Sequence, residues 1–293
     1  MIRRWGFRAM GTDVELLLES DSDADSGDGL RRAEDEIRRL ERLLSRFDPD
    51  SELSRLNRVG AVVAGPELVE LTALALEGRE STGGRFDPTV HDAVVAAGYD
   101  RSFELMEPDA ERPGGRAPVR CGGGVQLDRP TGTITLSPGA RLDLGGIAKG
   151  YTADRVGHLL SAHGPCLVNV GGDLAACGVP EDGAWAVGVE APGGTLSLSL
   201  ERGAMATSGR DRRRWRSGGD AAHHVIDPST ARPADTDLLR VTVVAGSAAW
   251  AEVLATGFLV AGAEAAEREA DALGVPCLLV TEGGTGVMAG GLS

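Results

Sequence analysis

The sequence predicts an α+β fold in which mixed or antiparallel sheets are flanked by helices. Three observations carry this. Strand-like segments outnumber helical ones, many of the strands are linked as hairpins, and no segment repeats along the chain. At 293 residues there is room for one large domain or two small ones. The whole of 1–293 reads as one domain, with a division into two subdomains left open and a flexible loop near 107–124.

Residues 2–9 and 12–19 read as two strands broken at Met10-Gly11-Thr12, followed by a polar Asp/Ser/Gly loop over 20–29. In 30–45, Leu30, Ile37, Leu40, Leu43 and Leu44 recur at helical spacing with charges opposite, the pattern of a surface helix. A short helix begins in 51–57 with Ser51 as N-cap, and a third covers 66–82 with Pro66 in its first turn. The Gly/Arg/Pro-rich stretch 107–124 reads as an insertion or flap, and 125–136 as a hairpin turning at Thr131-Gly132. A helix then runs from near Gly146 to about 163, and the strand 166–170 meets Gly171-Gly172-Asp173. Strands follow near 184–190, 195–200 and 203–207, then HHVIDP (223–228) and a strand at 239–245. Helices at 247–262 and 263–273 precede closing strands at 276–280 and 285–288.

The composition, 42% hydrophobic and 25% charged, is that of a globular protein, and with aromatics at 4% aliphatic side chains must fill the core. A net charge of −14 argues against nucleic acid or an anionic membrane as the main partner. It also obliges an anionic small ligand to find a local cation, a metal or a helix N-terminus. No run of about 18 apolar residues is present, so no transmembrane segment is expected. The first residues lack an apolar signal core, so the expectation is a cytoplasmic protein unless an export segment precedes this chain. Cys121, Cys166, Cys177 and Cys277 form no C-x-x-C pair and read as buried small hydrophobes.

Lys149, in LDLGGIAKGYTAD (142–154), is the only lysine in the chain. Its retention among arginines points to a contact that a planar guanidinium does not replace. The glycines before it suit an anion cradled at a helix N-terminus, and equally a tight strand-to-helix turn with a surface lysine. The pattern is neither a P-loop nor a dinucleotide-binding glycine turn. Asp143 either accepts from a ligand or caps the following helix. FDPTV (86–90) is an Asx-Pro turn or a ligand loop. His224 is a general base or a satisfied structural histidine. Glu252 and Thr256, four apart on an apolar helix, share a face. They suit a hard cation such as Mg²⁺, or a half-exposed acid beside a threonine bonded back to its own helix.

Taken in order, AMGT, SRFDPDSELSRLN, GGRFDPTV, LDLGGIAKGYTAD, LVNVGGD, ATSG, HHVIDP and AEVLATGFLVAG resemble the ApbE family, the FAD:protein FMN transferases, over about residues 7 to 262. The resemblance implies an ApbE-like, T-fold-related arrangement in a single flavin-transferase domain. It implies an enzyme that cuts the pyrophosphate of FAD and attaches the FMN half to a Ser or Thr hydroxyl of a target flavoprotein. AMP leaves and Mg²⁺ is needed. By motif position, it places Met10, Phe47, Phe86, Asp87, Asp143, Lys149 and Val225 against FAD. It places the Gly146 backbone oxygen, Glu252 and Thr256 on the metal. His224 is the expected base, with Asp143 or the metal itself as rivals.

One departure stands out. The family usually carries Asp where this chain has Glu252, and the longer acid bears on metal affinity and turnover, because Mg²⁺ tolerates little error in its short oxygen distances. Two other functions fit the same motifs: FAD binding without transfer, and an FAD pyrophosphatase that releases FMN and AMP. No flavinylation site is apparent in the chain, so the acceptor is expected to be a separate polypeptide.

Overall fold

A computed structural model describes residues 1–106, 119–217 and 219–292. The chain opens with β1 (Ile2–Ala9) and β2 (Thr12–Glu19), then α1 (Asp23–Leu44), α2 (Glu52–Val59), β3 (Ala61–Val63), α3 (Pro66–Ser81) and α4 (His91–Ala96). After a short 3-10 turn, Phe103–Leu105, come β4 (Val125–Asp128), β5 (Thr133–Leu136), α5 (Ala148–Leu160), β6 (Cys166–Val170) and β7 (Asp173–Cys177). Next are β8 (Trp185–Ala191), β9 (Gly194–Leu200), β10 (Gly203–Gly209), β11 (Arg214–Ser217), β12 (Asp220–His223), β13 (Ile226–Asp227) and β14 (Arg232–Pro233). The chain closes with β15 (Leu238–Ala245), α6 (Ala248–Ala261), α7 (Ala263–Leu273), β16 (Cys277–Thr281) and β17 (Gly286–Ala289).

The main sheet has eight strands in the order β1-β2-β6-β7-β10-β15-β16-β17, and its strand pairs are antiparallel. The α+β expectation therefore holds, on the antiparallel side. Alternation along the strands loads both faces. On one face Val168, Val170, Ala175 and Ala204 pack with Ala153, Val156 and Leu160 of α5. Further along the same face, Val241 and Val243 meet Ala251, Leu254 and Phe258 of α6. The opposite face, with Leu167, Leu174, Met205 and Leu278, is covered by Trp185, Val187 and Val189 of the β8–β9 ribbon. A separate cluster joins α1, α2 and α3 to the small sheet β3-β5-β4 through Leu40, Leu56, Leu71, Ile134 and Phe86.

Several boundaries differ from expectation for local reasons. The loop placed at 20–29 is mostly helix, because Ser22 accepts from Asp25 N at 3.3 Å and caps α1 from Asp23 onward. The helix expected from Gly146 starts at Ala148, after a turn in which Ile147 N donates to Leu144 O at 3.1 Å. HHVIDP is no continuous strand: β12 ends at His223 and β13 begins at Ile226. Strand β7, the β11–β12 ribbon and α4 arise where no strand or helix was expected. Ser51 caps α2 by accepting from Ser54 N at 2.9 Å, and Pro66 opens α3, both as read. Of the expected flap, 107–118 lies outside the described residues, and Gly122 N and Gly123 N donate to Thr89 Oγ1 at 2.9 and 3.2 Å. Among the described residues, no helix is long and apolar enough to cross a membrane.

Candidate functional site

A cavity of about 1020 Å³ opens between the helical cluster and the main sheet. That is the size range of pockets that enclose a large small molecule. Every residue singled out from the sequence reaches its wall. Met10 comes from the β1–β2 turn, Phe47, Phe86 and Asp87 from the helical side, Asp143 and Gly146 from the approach to α5, and Lys149 from its first turn. His224 and Val225 come from the break between β12 and β13, and Glu252 and Thr256 from α6.

The polar centre lies where α5 crosses α6. A Cβ on Gly150 would stand 2.4 Å from Ala248 O, so only glycine permits this approach. The close crossing lets Gly150 N donate to Glu252 Oε2 at 2.9 Å. Gly171 (φ +66) and Gly172 (φ +100) form the tight turn that delivers Asp173, 1% exposed, at the start of β7. The Lys149 ammonium donates to both Asp173 and Glu252. Burial alone would lower its pKa, but the two carboxylates outweigh burial and hold it raised. Burial and the charge of Asp173 push the Glu252 carboxyl up. The N-terminus of α6 is held by Asp154, whose carboxylate accepts from Ala248 N at 2.7 Å and Ala249 N at 2.9 Å. Ser247 completes this cap by accepting from Trp250 N at 3.3 Å. One turn beyond Glu252, the hydroxyls of Thr256 and Ser208 share a hydrogen bond of 2.9 Å.

Asp143 is fixed on both oxygens: Gly145 N donates to Oδ1 at 2.8 Å, and Arg46 Nε lies 2.9 Å from Oδ2. Arg46 stacks over Phe47 and Tyr99, 4.2 and 4.6 Å from the ring centroids. Asp87 closes an Asx turn, accepting from Thr89 N and Oγ1 at 2.8 and 2.7 Å, so the structural reading of FDPTV holds alongside its place on the wall. Met10 is left-handed, φ 54, in a two-residue hairpin turn, and its N donates to Glu41 Oε1 at 2.6 Å. His224 lines the cavity, its Nδ1 is buried with no hydrogen-bond partner, and burial, with Arg213 nearby, pushes its imidazole down to about 3. Sequence reading assigned no role to Asp173, Arg46 or Asp154. Asp173 was signalled by the glycine pair before it, whereas Arg46 and Asp154 sit inside quoted motifs with nothing local to show what they hold.

Mg²⁺ takes one or two carboxylates and completes its shell with phosphates and water. Glu252 and Thr256 on the cavity wall offer hard oxygens of that kind, and with Lys149 the buried acids Glu252 and Asp173 leave one net negative charge. An ammonium already stands between the carboxylates, so the donors fit a cation. Among the described residues no group of three or more His, Cys, Asp or Glu is placed to hold a metal, so the protein offers a partial shell.

Fold and site together define an antiparallel α+β protein with a large cavity, apolar on its aromatic side and centred on a buried acid–ammonium cluster. The chain belongs to the ApbE family, whose model matches residues 10–279. It is 34% identical over 256 residues to the FAD:protein FMN transferase of Treponema pallidum, covering 78% of this chain and 70% of that one. It is 31% identical over 255 residues to the enzyme of the same name from Vibrio cholerae, covering 82% and 75%. The crystal structure of the Thermotoga maritima ApbE protein superposes with a TM-score of 0.85 at 27% identity, over 99% of this chain and 97% of that one. The flavin transferase ApbE of Vibrio cholerae gives 0.82 at 25% identity, over the same shares.

Proposed function

We propose that this chain is an FAD:protein FMN transferase. It moves the FMN half of FAD to a Ser or Thr hydroxyl of a separate acceptor flavoprotein, with AMP leaving and Mg²⁺ required. The observation that carries this reading is the convergence on one cavity of residues scattered from Met10 to Thr256, each reached through a family motif.

Met10, Phe47 and Phe86 supply apolar surface for the flavin rings, and Asp143, fixed by Arg46, presents an oriented acceptor. Glu252, Thr256 and the carbonyl of Gly146 would hold Mg²⁺, which when bound neutralises charge on the pyrophosphate. Lys149 keeps the Glu252 carboxylate in position and adds positive potential within an acidic protein. In the transfer, a bond forms between the acceptor oxygen and the FMN phosphorus while the phosphorus–oxygen bond to AMP breaks. The acceptor proton goes to His224. Its imidazole is neutral at physiological pH and Nδ1 has no partner to displace, and nearby phosphate charge raises its basicity. Asp143 is the poorer base because both its oxygens are occupied.

The test is incubation with FAD, Mg²⁺ and a candidate acceptor domain. Flavin fluorescence that stays with the acceptor on a denaturing gel is the expected result. Free FMN without gel-bound flavin would make the protein a pyrophosphatase. FAD bound but unchanged would make it a carrier.

A further inference from the structure

Of the six arginines on the cavity wall, four are paired with acids. Arg46 pairs with Asp143 and Arg212 with Glu190, each at 2.9 Å. Arg85 donates to Glu269 at 2.9 Å, and Arg240 to Asp211 at 2.7 Å. Arg42 and Arg213 have no ion-pair partner among the described residues. Arg42 is exposed, where water solvates it, but Arg213 is half-buried. A partly desolvated guanidinium without a counter-charge is costly. In a chain of net charge −14 carboxylates are plentiful, so the lack of one at Arg213 among the described residues is informative.

The local pattern places this side chain inward. In the ribbon, Trp215 pairs with Ala222 and Arg214 with His223, so one step further Arg213 comes level with His224. Side chains alternate. Trp215 is buried, Arg212, Arg214 and Arg216 are exposed, and Arg213 shares the inward side with Trp215. Arg213 and His224 both line the cavity.

Resting on the FAD reading of this cavity, we infer that Arg213 is a phosphate-binding residue of the site. Its guanidinium takes a non-bridging oxygen of the ligand's pyrophosphate beside His224, and so selects a phosphorylated flavin over a neutral one. The pyrophosphate is the anionic part of FAD, and a guanidinium fork matches phosphate geometry.

The experiment measures dissociation constants for FAD and for riboflavin, which lacks phosphate, in the presence of Mg²⁺, on wild type, Arg213→Gln and Arg213→Lys. Thermal melts verify that the variants fold. Arg213→Gln should weaken FAD by about 10-fold or more, the value of a charge-assisted hydrogen bond, and leave riboflavin unchanged. Arg213→Lys should fall between. Equal weakening of both flavins would overturn the inference in favour of a structural role, as would an unchanged FAD affinity. Wild type that binds neither flavin would overturn the functional reading itself, and this inference with it.

Discussion

Lys149 of α5 reaches Glu252 of α6 across a helix crossing that the absent Cβ of Gly150 keeps tight. The ammonium also holds Asp173, so one cation serves two buried acids. Removing one partner of such a cluster leaves charge buried and uncompensated. Lys149→Met should therefore lower unfolding free energy by about 3 kcal/mol, read from urea denaturation. Mg²⁺ should restore part of the loss. Lys149→Arg should rescue poorly, because a planar fork does not fit a point-charge position. Unchanged stability in the Met variant would show that the cluster is not balanced by this lysine.

Gly150 itself is open to a sharper test. Alanine would place a methyl against backbone that cannot rotate away, so α5 and α6 must move apart. Gly150→Ala should cost about 1–3 kcal/mol despite its better helix propensity. The same shift carries Gly150 N away from Glu252, so FMN transfer should fall more than stability does at temperatures where the variant is folded.

Glu252 is the wall carboxylate placed both to hold a cation and to meet Lys149. Glu252→Ala should reduce covalent flavin transfer by more than about 10-fold, the loss seen even for residues one shell out from a metal. Glu252→Asp should keep activity and shift its Mg²⁺ dependence, because the shorter acid retracts from Lys149 and Gly150 N. Titrating Mg²⁺ against gel fluorescence reads both effects. Full activity in the alanine variant would remove Glu252 from the site.

The legible parts of the sequence were those with local periodicity or punctuation. The β1–β2 hairpin, the Pro66 start of α3 and the α6–α7 pair follow from alternation, capping and spacing. The β11–β12 ribbon was illegible because RRWRS and DAAH carry no clear alternation, and only the burial of Trp215 and Ala222 reveals it. At the site, motif order located the wall residues but not what restrains them. Arg46 and Asp143 are far apart in sequence, as are Lys149 and Glu252, and no local signal encodes a pairing that the tertiary fold creates.

Asp154 is a positioning residue of this kind. It lies on α5, yet its carboxylate caps the N-terminus of α6 through two backbone N–H groups and so sets the helix that carries Glu252 and Thr256. Asp154→Ala should cost about 2 kcal/mol, the upper range for a lost cap. It should also raise the Mg²⁺ concentration needed for transfer without altering riboflavin binding. Asp154→Asn, which keeps one acceptor, should recover about half of the stability. A variant that loses stability with an unchanged Mg²⁺ profile would confine Asp154 to the fold.

His223, next to His224 but facing a second, smaller hollow, offers a prediction in pH. Its Nε2 donates to Ala234 O at 3.1 Å, its Nδ1 has no partner, and burial pushes its pKa down to about 4. In the unfolded chain a histidine titrates near ~6.5. Between those values the unfolded state binds a proton that the folded state refuses. Stability is therefore full above about pH 6.5 and falls as pH drops toward about 4, with no further loss from this group below that. His224, lowered for the same reason, adds a contribution of the same sign. In His223→Gln the slope of unfolding free energy against pH should shrink by about one proton across this window. The variant and wild type should then differ less at pH 4.5 than at pH 7, as measured by urea unfolding at the two pH values. Parallel pH profiles would mean that His223 is protonated as readily in the folded protein as in the unfolded chain, and that its burial does not exclude the charge.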